Sequence, residues 1–166
     1  MKFSNKILTA LIFSGLFLFS CQQRDKQALL EEHAGIKIAN PIIYEVMVTN
    51  PNPEDDWKTE CLANTNIHNL VKDIIKAVRN GDLPAFDYYD NHCLSKPELE
   101  KIIAESDLMN KTGNIQFEEE WFWDSKKLSL EKRVKKLMFG YEIYDALGKV
   151  RGYKASFVVD LDADKK

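Results

Sequence analysis

From Ile115 to Leu161 apolar side chains recur at every second position, and this period limits what the chain can fold into more than any other feature. Alternation lines up one row of side chains on each side of an extended strand, so the segment must build a sheet with a covered face. Ile115, Phe117, Trp121 and Trp123 share a face with Glu119, and a turn near Asp124 to Lys127 leads into a long strand from Leu128 to Tyr144. Within that strand the apolar set changes parity, from Leu128, Leu130 and Val134 to Leu137, Phe139, Tyr141 and Ile143. A one-residue slip would turn half the strand inside out, so the change predicts a β-bulge between Val134 and Leu137. Asp145-Ala146-Leu147-Gly148 predicts a hairpin turn, and a last strand from Val150 to Leu161 is expected to place Tyr153, Ala155, Phe157, Val159 and Leu161 inward.

Upstream the period is helical. Ile67, Leu70, Val71, Ile74, Ile75 and Val78 form one unbroken stripe, with Asn66 suited to cap the start and Gly81 the end. Ser95 and Glu98 have capping-box spacing and open a second helix that buries Leu99, Ile102 and Ile103 before fading near Ser106. Pro41 to Thr49 alternates as an early strand, stopped by Asn50-Pro51-Asn52-Pro53. The expected class is α+β: two helices followed by an antiparallel three- to four-stranded meander, in one domain over residues 41–162.

The N-terminus gives an address. Lys2 and Lys6 precede an apolar run from Ile7 to Phe19, too short to span a bilayer comfortably, and the run ends in Leu18-Phe19-Ser20-Cys21. Leu-x-Ser-Cys resembles the bacterial lipobox, which implies a signal peptide over residues 1–20 and a lipid on the Cys21 thiol. The alternative is a plain secretory leader with Cys21 near its cleavage site. Residues 21–40 are mostly polar and are expected to tether the lipid to the folded part. With about 0.8 kcal/mol from each buried methylene, several acyl chains would hold the protein to the membrane without a second span. The expected location is the outer membrane, on its periplasmic face.

The charge excludes some partners. The whole chain has 23 basic and 26 acidic residues; losing Lys2 and Lys6 with the leader leaves 21 against 26, a net charge of −5. That average argues against nucleic acid or an anionic bilayer surface as a partner. Cys61 and Cys93 remain once Cys21 is lipidated; they permit one disulfide, contributing about 3–4 kcal/mol, or two buried free thiols.

No residue pattern specifies a reaction. His33, His68 and His92 lack metal-ligand spacing, so no metal or cofactor is expected. Asp90-Asn91-His92-Cys93 has a nucleophile beside a base, but no supporting motif, and reads as loop. Asp160, Asp162 and Asp164 lack the glycine and closing glutamate of a calcium loop and read as a solvated tail. Glu119, set among aromatics, is open to three readings: a carboxylic acid with a raised pKa, an ion pair with Arg133, Lys135 or Arg151, or exposure at the sheet margin. Glu118 and Glu120 are expected on the other face. No glycine-rich phosphate loop is present.

The aromatic residues of the strands exceed what one side of a small sheet needs. Trp121, Phe122, Trp123 and Tyr153 are the expected contacts for a partner; Phe122, on the face opposite the core, is covered by that partner or by the tether.

Residues 81–87 (GDLPAFD), the EEWFWD strand at 119–124, the basic stretch Glu131 to Lys136 and Arg151-Gly152-Tyr153 to Phe157 together resemble the gliding-motility and type IX secretion family GldN, also called PorN. The resemblance spans residues 66–161. It implies a non-catalytic scaffold component beneath the outer membrane, with no catalytic residues to carry over. Members of that family are longer and rely on a separate lipoprotein, so this chain, with its own lipid signal, resembles a small lipidated relative. The expected function is a non-catalytic outer-membrane lipoprotein that contacts another envelope protein. The alternative is a periplasmic ligand-binding or inhibitor-like module.

Overall fold

The computed structural model describes residues 35–163. The leader, Cys21, His33 and Asp164 lie outside the described residues. The elements run β1 (Ile36–Met47), α1 (Asp56–Leu62), α2 (Ile67–Asn80), β2 (Ala85–Asp87), α3 (Lys96–Ser106), α4 (Leu108–Lys111), β3 (Thr112–Asp124), β4 (Ser129–Tyr144) and β5 (Val150–Asp160). The strands form one antiparallel sheet in the order β1-β3-β4-β5-β2. The α+β class is as expected, with five strands in place of three or four.

Helix α2 forms where its stripe requires. Asn66 accepts the Asn69 N–H at 3.4 Å, Gly81 closes the end at φ +81°, and Val71, Ile74, Ile75 and Val78 are buried. In α3 the Glu98 carboxylate accepts from the Ser95 N–H at 2.8 Å and its hydroxyl at 2.5 Å, and Pro97 sits in the first turn, where no intrahelical donor is lost. These helices bury Ile115, Leu137, Phe139, Phe157 and Val159 on one face of the sheet.

The anticipated bulge is present. Glu118 pairs with Lys136 but Glu119 with Val134, so Lys135 is the extra residue of β4. It restores the apolar residues on either side to one face. A second bulge has no trace in the alternation of β5: Met138 pairs with Val158 but Gly140 with Ala155. This extra residue moves Tyr153 and Ala155 away from the face that holds Phe157 and Val159, correcting the inward set expected for β5. The Tyr153 ring lies instead against Gly113, where an added Cβ would sit 2.2 Å from a ring carbon.

The expected tether also ends earlier than Asn40. Strand β1 starts at Ile36, and Ile36, Lys37 and Ala39 pair with Trp123, Phe122 and Trp121. Pro41 is accommodated because β1 lies at the sheet edge, where a missing donor leaves no ladder incomplete.

Candidate functional site

The sheet is longer than the helix layer on it. The core beneath the helices takes in Phe117 and Tyr141, but Trp121, Trp123, Leu130 and Ile42 lie outside it. By register Ile42, Tyr44, Glu119, Trp121, Lys132 and Val134 share the face that the helices cover further along. They form a ledge with a carboxylate at its centre.

Glu119 is buried, not exposed at the sheet margin, and each of its oxygens accepts one hydrogen bond: Oε1 from the Tyr44 hydroxyl at 2.8 Å, Oε2 from Trp121 Nε1 at 2.8 Å. Lys132 Nζ lies 4.4 Å from the Trp121 ring centroid and 5.5 Å from that of Tyr44, in the cation–π range. Tyr44 also packs on Phe117 with centroids 5.7 Å apart. Burial, with the Glu119 carboxylate behind it, raises the Tyr44 hydroxyl above its usual 10.0, so it remains a neutral donor. The partners of Glu119 are the Tyr44 hydroxyl and the Trp121 indole, which corrects the ion pair with Arg133, Lys135 or Arg151. With both oxygens engaged it orients the aromatic side chains around it.

The ion pairs belong to Glu120, on the opposite face as expected. Its Oε1 is 2.8 Å from Lys37 Nζ and 4.0 Å from Lys135 Nζ. Lys135 also pairs with Asp162, and Arg133 reaches Asp162 at 2.8 Å. Asp162 is therefore buried among β4's cations, which corrects the reading of this residue as part of a solvated tail. Lys37 lies 5.5 Å from the Phe122 centroid, so a residue assigned to the tether covers Phe122.

The Lys37 hydrogen bond, reinforced by Lys135 and Arg133, holds the Glu120 carboxyl below its usual 4.5. A depressed folded-state pKa stabilises the fold above the unfolded value, and that contribution is lost as pH falls through the folded one. Glu120→Gln is accordingly expected to cost about 1–2 kcal/mol at pH 7. In urea titrations its deficit relative to the parent should shrink steadily as pH falls below 4.5.

Of the residues expected as partner contacts, Trp121 lies half-buried on the ledge and Trp123 is exposed at the sheet's end. Phe122 is buried under Lys37, and Tyr153 is half-buried at the opposite end of β4, paired with Glu142. Cys61 and Cys93 are separate free thiols, both exposed, so neither alternative for them holds.

Asp87, Asp90 and His92 converge with donor atoms within 4.8 Å, a grouping that spacing alone did not disclose. Asp87 Oδ1 accepts the Tyr89 and Asp90 N–H groups, and Asp90 Oδ1 accepts from the His92 backbone and lies 2.5 Å from its Nδ1. These bonds fold the loop.

No family model matches the chain, and no curated protein matches it. Among the described residues no helix is long and apolar enough to cross a membrane. The class that the structure itself defines is an α+β domain with a five-stranded antiparallel sheet.

Proposed function

We propose that the chain is a non-catalytic lipoprotein, anchored through Cys21 to the periplasmic face of the outer membrane, that assembles with another envelope protein in gliding or type IX secretion machinery. The observation that carries this reading is edge strand β1, which exposes apolar side chains from both faces: Ile43 is 55% and Val46 39% exposed. Beside it lies the Tyr44–Trp121–Lys132 ledge. An edge strand can pair with a strand from a partner, main-chain hydrogen bonds supplying affinity and the flanking side chains specificity. Lys132 over two rings adds a contact of the aromatic-plus-cation kind that interfaces favour.

The test is recovery of an envelope protein with the lipidated chain from detergent-solubilised envelopes. Ile43→Lys should abolish that recovery while leaving the thermal midpoint unchanged, since the residue is on the surface. Equal recovery with both chains counts against β1 as the contact.

A ligand-binding module is favoured by one feature, an open groove of about 570 Å³ between α2 and the α3–α4 segment. Ile75, Ile103, Leu108 and Met109 line it, and Lys72 and Lys76 stand at its margin, a combination suited to an amphipathic anion. The helices fill the central part of the sheet face with Ile115, Leu137, Phe139, Phe157 and Val159, which supports the assembly reading over a ligand held on a concave sheet.

A further inference from the structure

We infer that the far end of the sheet is a lipid-contacting tip, seated on the phospholipid surface of the leaflet that holds the acyl chains. This rests on the proposed anchoring at Cys21 and names a second partner for the same body, apart from the β1 contact.

Three observations carry it. The first is an apolar row across the strands: Ile36 pairs with Trp123 and Trp123 with Leu130, on one face, and their exposures are 73%, 36% and 45%. Tryptophan with aliphatic neighbours suits the boundary between headgroups and acyl chains.

The second is Leu128, in the hairpin that ends this row. Asp124 Oδ1 closes the turn by accepting the Lys126 and Lys127 N–H groups, and Leu128 follows at φ +51° with 75% of its surface exposed. Glycine or asparagine adopts that left-handed backbone at lower cost, and either would expose less apolar surface. A leucine there is unfavourable for the isolated fold on both counts. It is favourable if the side chain is buried in something else.

The third is where the anchor's chain arrives. A Cβ at Gly35 would lie 2.7 Å from the Trp123 carbonyl carbon and oxygen, so Gly35, the first described residue after Cys21, lies directly against Trp123. Thirteen residues lie between Cys21 and Gly35, a span of at most about 50 Å even fully extended. The tip is thus the part of the sheet closest along the chain to the lipid.

The charge at the hairpin is suited to this: Arg133, Lys135 and Lys136 are paired with Asp162, Glu120 and Glu118 further along the sheet, whereas at the turn Lys126 and Lys127 face the single acid Asp124. Lys126 and Lys127 adjoin Leu128, where ammonium groups can meet phosphates while apolar stems lie along the acyl boundary.

The test uses the mature lipidated chain in vesicles of phosphatidylethanolamine and phosphatidylglycerol (3:1) whose acyl chains carry bromine, which quenches nearby tryptophan. Emission should be quenched, and Trp123→Phe should remove the quenched component although Trp57 and Trp121 remain. Leu128→Asn should reduce quenching about fivefold while leaving the thermal midpoint unchanged or raised, an outcome that a purely structural role for Leu128 would not give. Unquenched emission from the lipidated chain, or quenching that persists in Trp123→Phe, overturns the tip. If mass spectrometry finds Cys21 unmodified, the anchor falls separately. The tip is then judged by the same quenching with the unlipidated chain and the same vesicles.

Discussion

Phe139→Ala is expected to lower the stability of the folded domain by about 4 kcal/mol and its thermal midpoint by about 10–15 °C. Phe139 lies at the centre of β4, fully buried, in the cluster where Val71, Ile75 and Leu99 of the helices meet Ile115 and Phe157 of the sheet. The Ser156 hydroxyl donates to its carbonyl at 2.7 Å, next to the β5 bulge. Close-packed interiors relax only partly around a deleted ring, so a cavity adds to the lost transfer free energy. Since a domain of this size is stable by about 5–15 kcal/mol, the variant should unfold well below the parent in urea. Calorimetry and urea titration read both values. A loss below about 1 kcal/mol would mean that the helices do not pack on β4 as described.

Glu119→Ala has the second largest expected effect, about 2–3 kcal/mol. Truncation removes the acceptor of both the Tyr44 hydroxyl and Trp121 Nε1, two donors that are half-buried and only partly able to rehydrate. The ledge should loosen with it, because Lys132 is placed over rings that Glu119 orients. Tryptophan emission should therefore shift to longer wavelength in the folded state, before any unfolding. Glu119→Gln keeps one acceptor oxygen and should recover about half of the loss. An unshifted emission in Glu119→Ala would show that the carboxylate does not position Trp121.

What the sequence made legible follows from how each feature marks it. The Lys135 bulge could be read because it reverses parity within a strand rich in apolar residues. The β5 bulge could not, since Tyr153 to Leu161 alternates without a break and small Ala155 and Ser156 give no contrast between faces. Strand β1 was legible only from Pro41 onward. Ile36 and Ile38 alternate with Lys37, but the polar residues before them give the whole stretch the composition of a tether. Helices α1 and α4 and strand β2 have 7, 4 and 3 residues, too few for a period to emerge. For the candidate site, composition identified the aromatic excess but not its division: alternation separates Trp121 from Phe122, while the extent of the helix layer decides which rings stay uncovered. The basic stretch Glu131 to Lys136 was legible, but not its partners: Glu118, Glu120 and Asp162 reach it only through the pairing of β3, β4 and the chain's return after β5.

The account depends most on β1 being a docking edge for a protein in the envelope. Its most direct test is a photoreactive side chain at position 43 of the lipidated chain, activated in intact envelopes. The expected result is a discrete protein adduct that disappears when Val46→Lys is also present. A chain that remains unattached, or reacts with lipid alone, would contradict assembly through this strand.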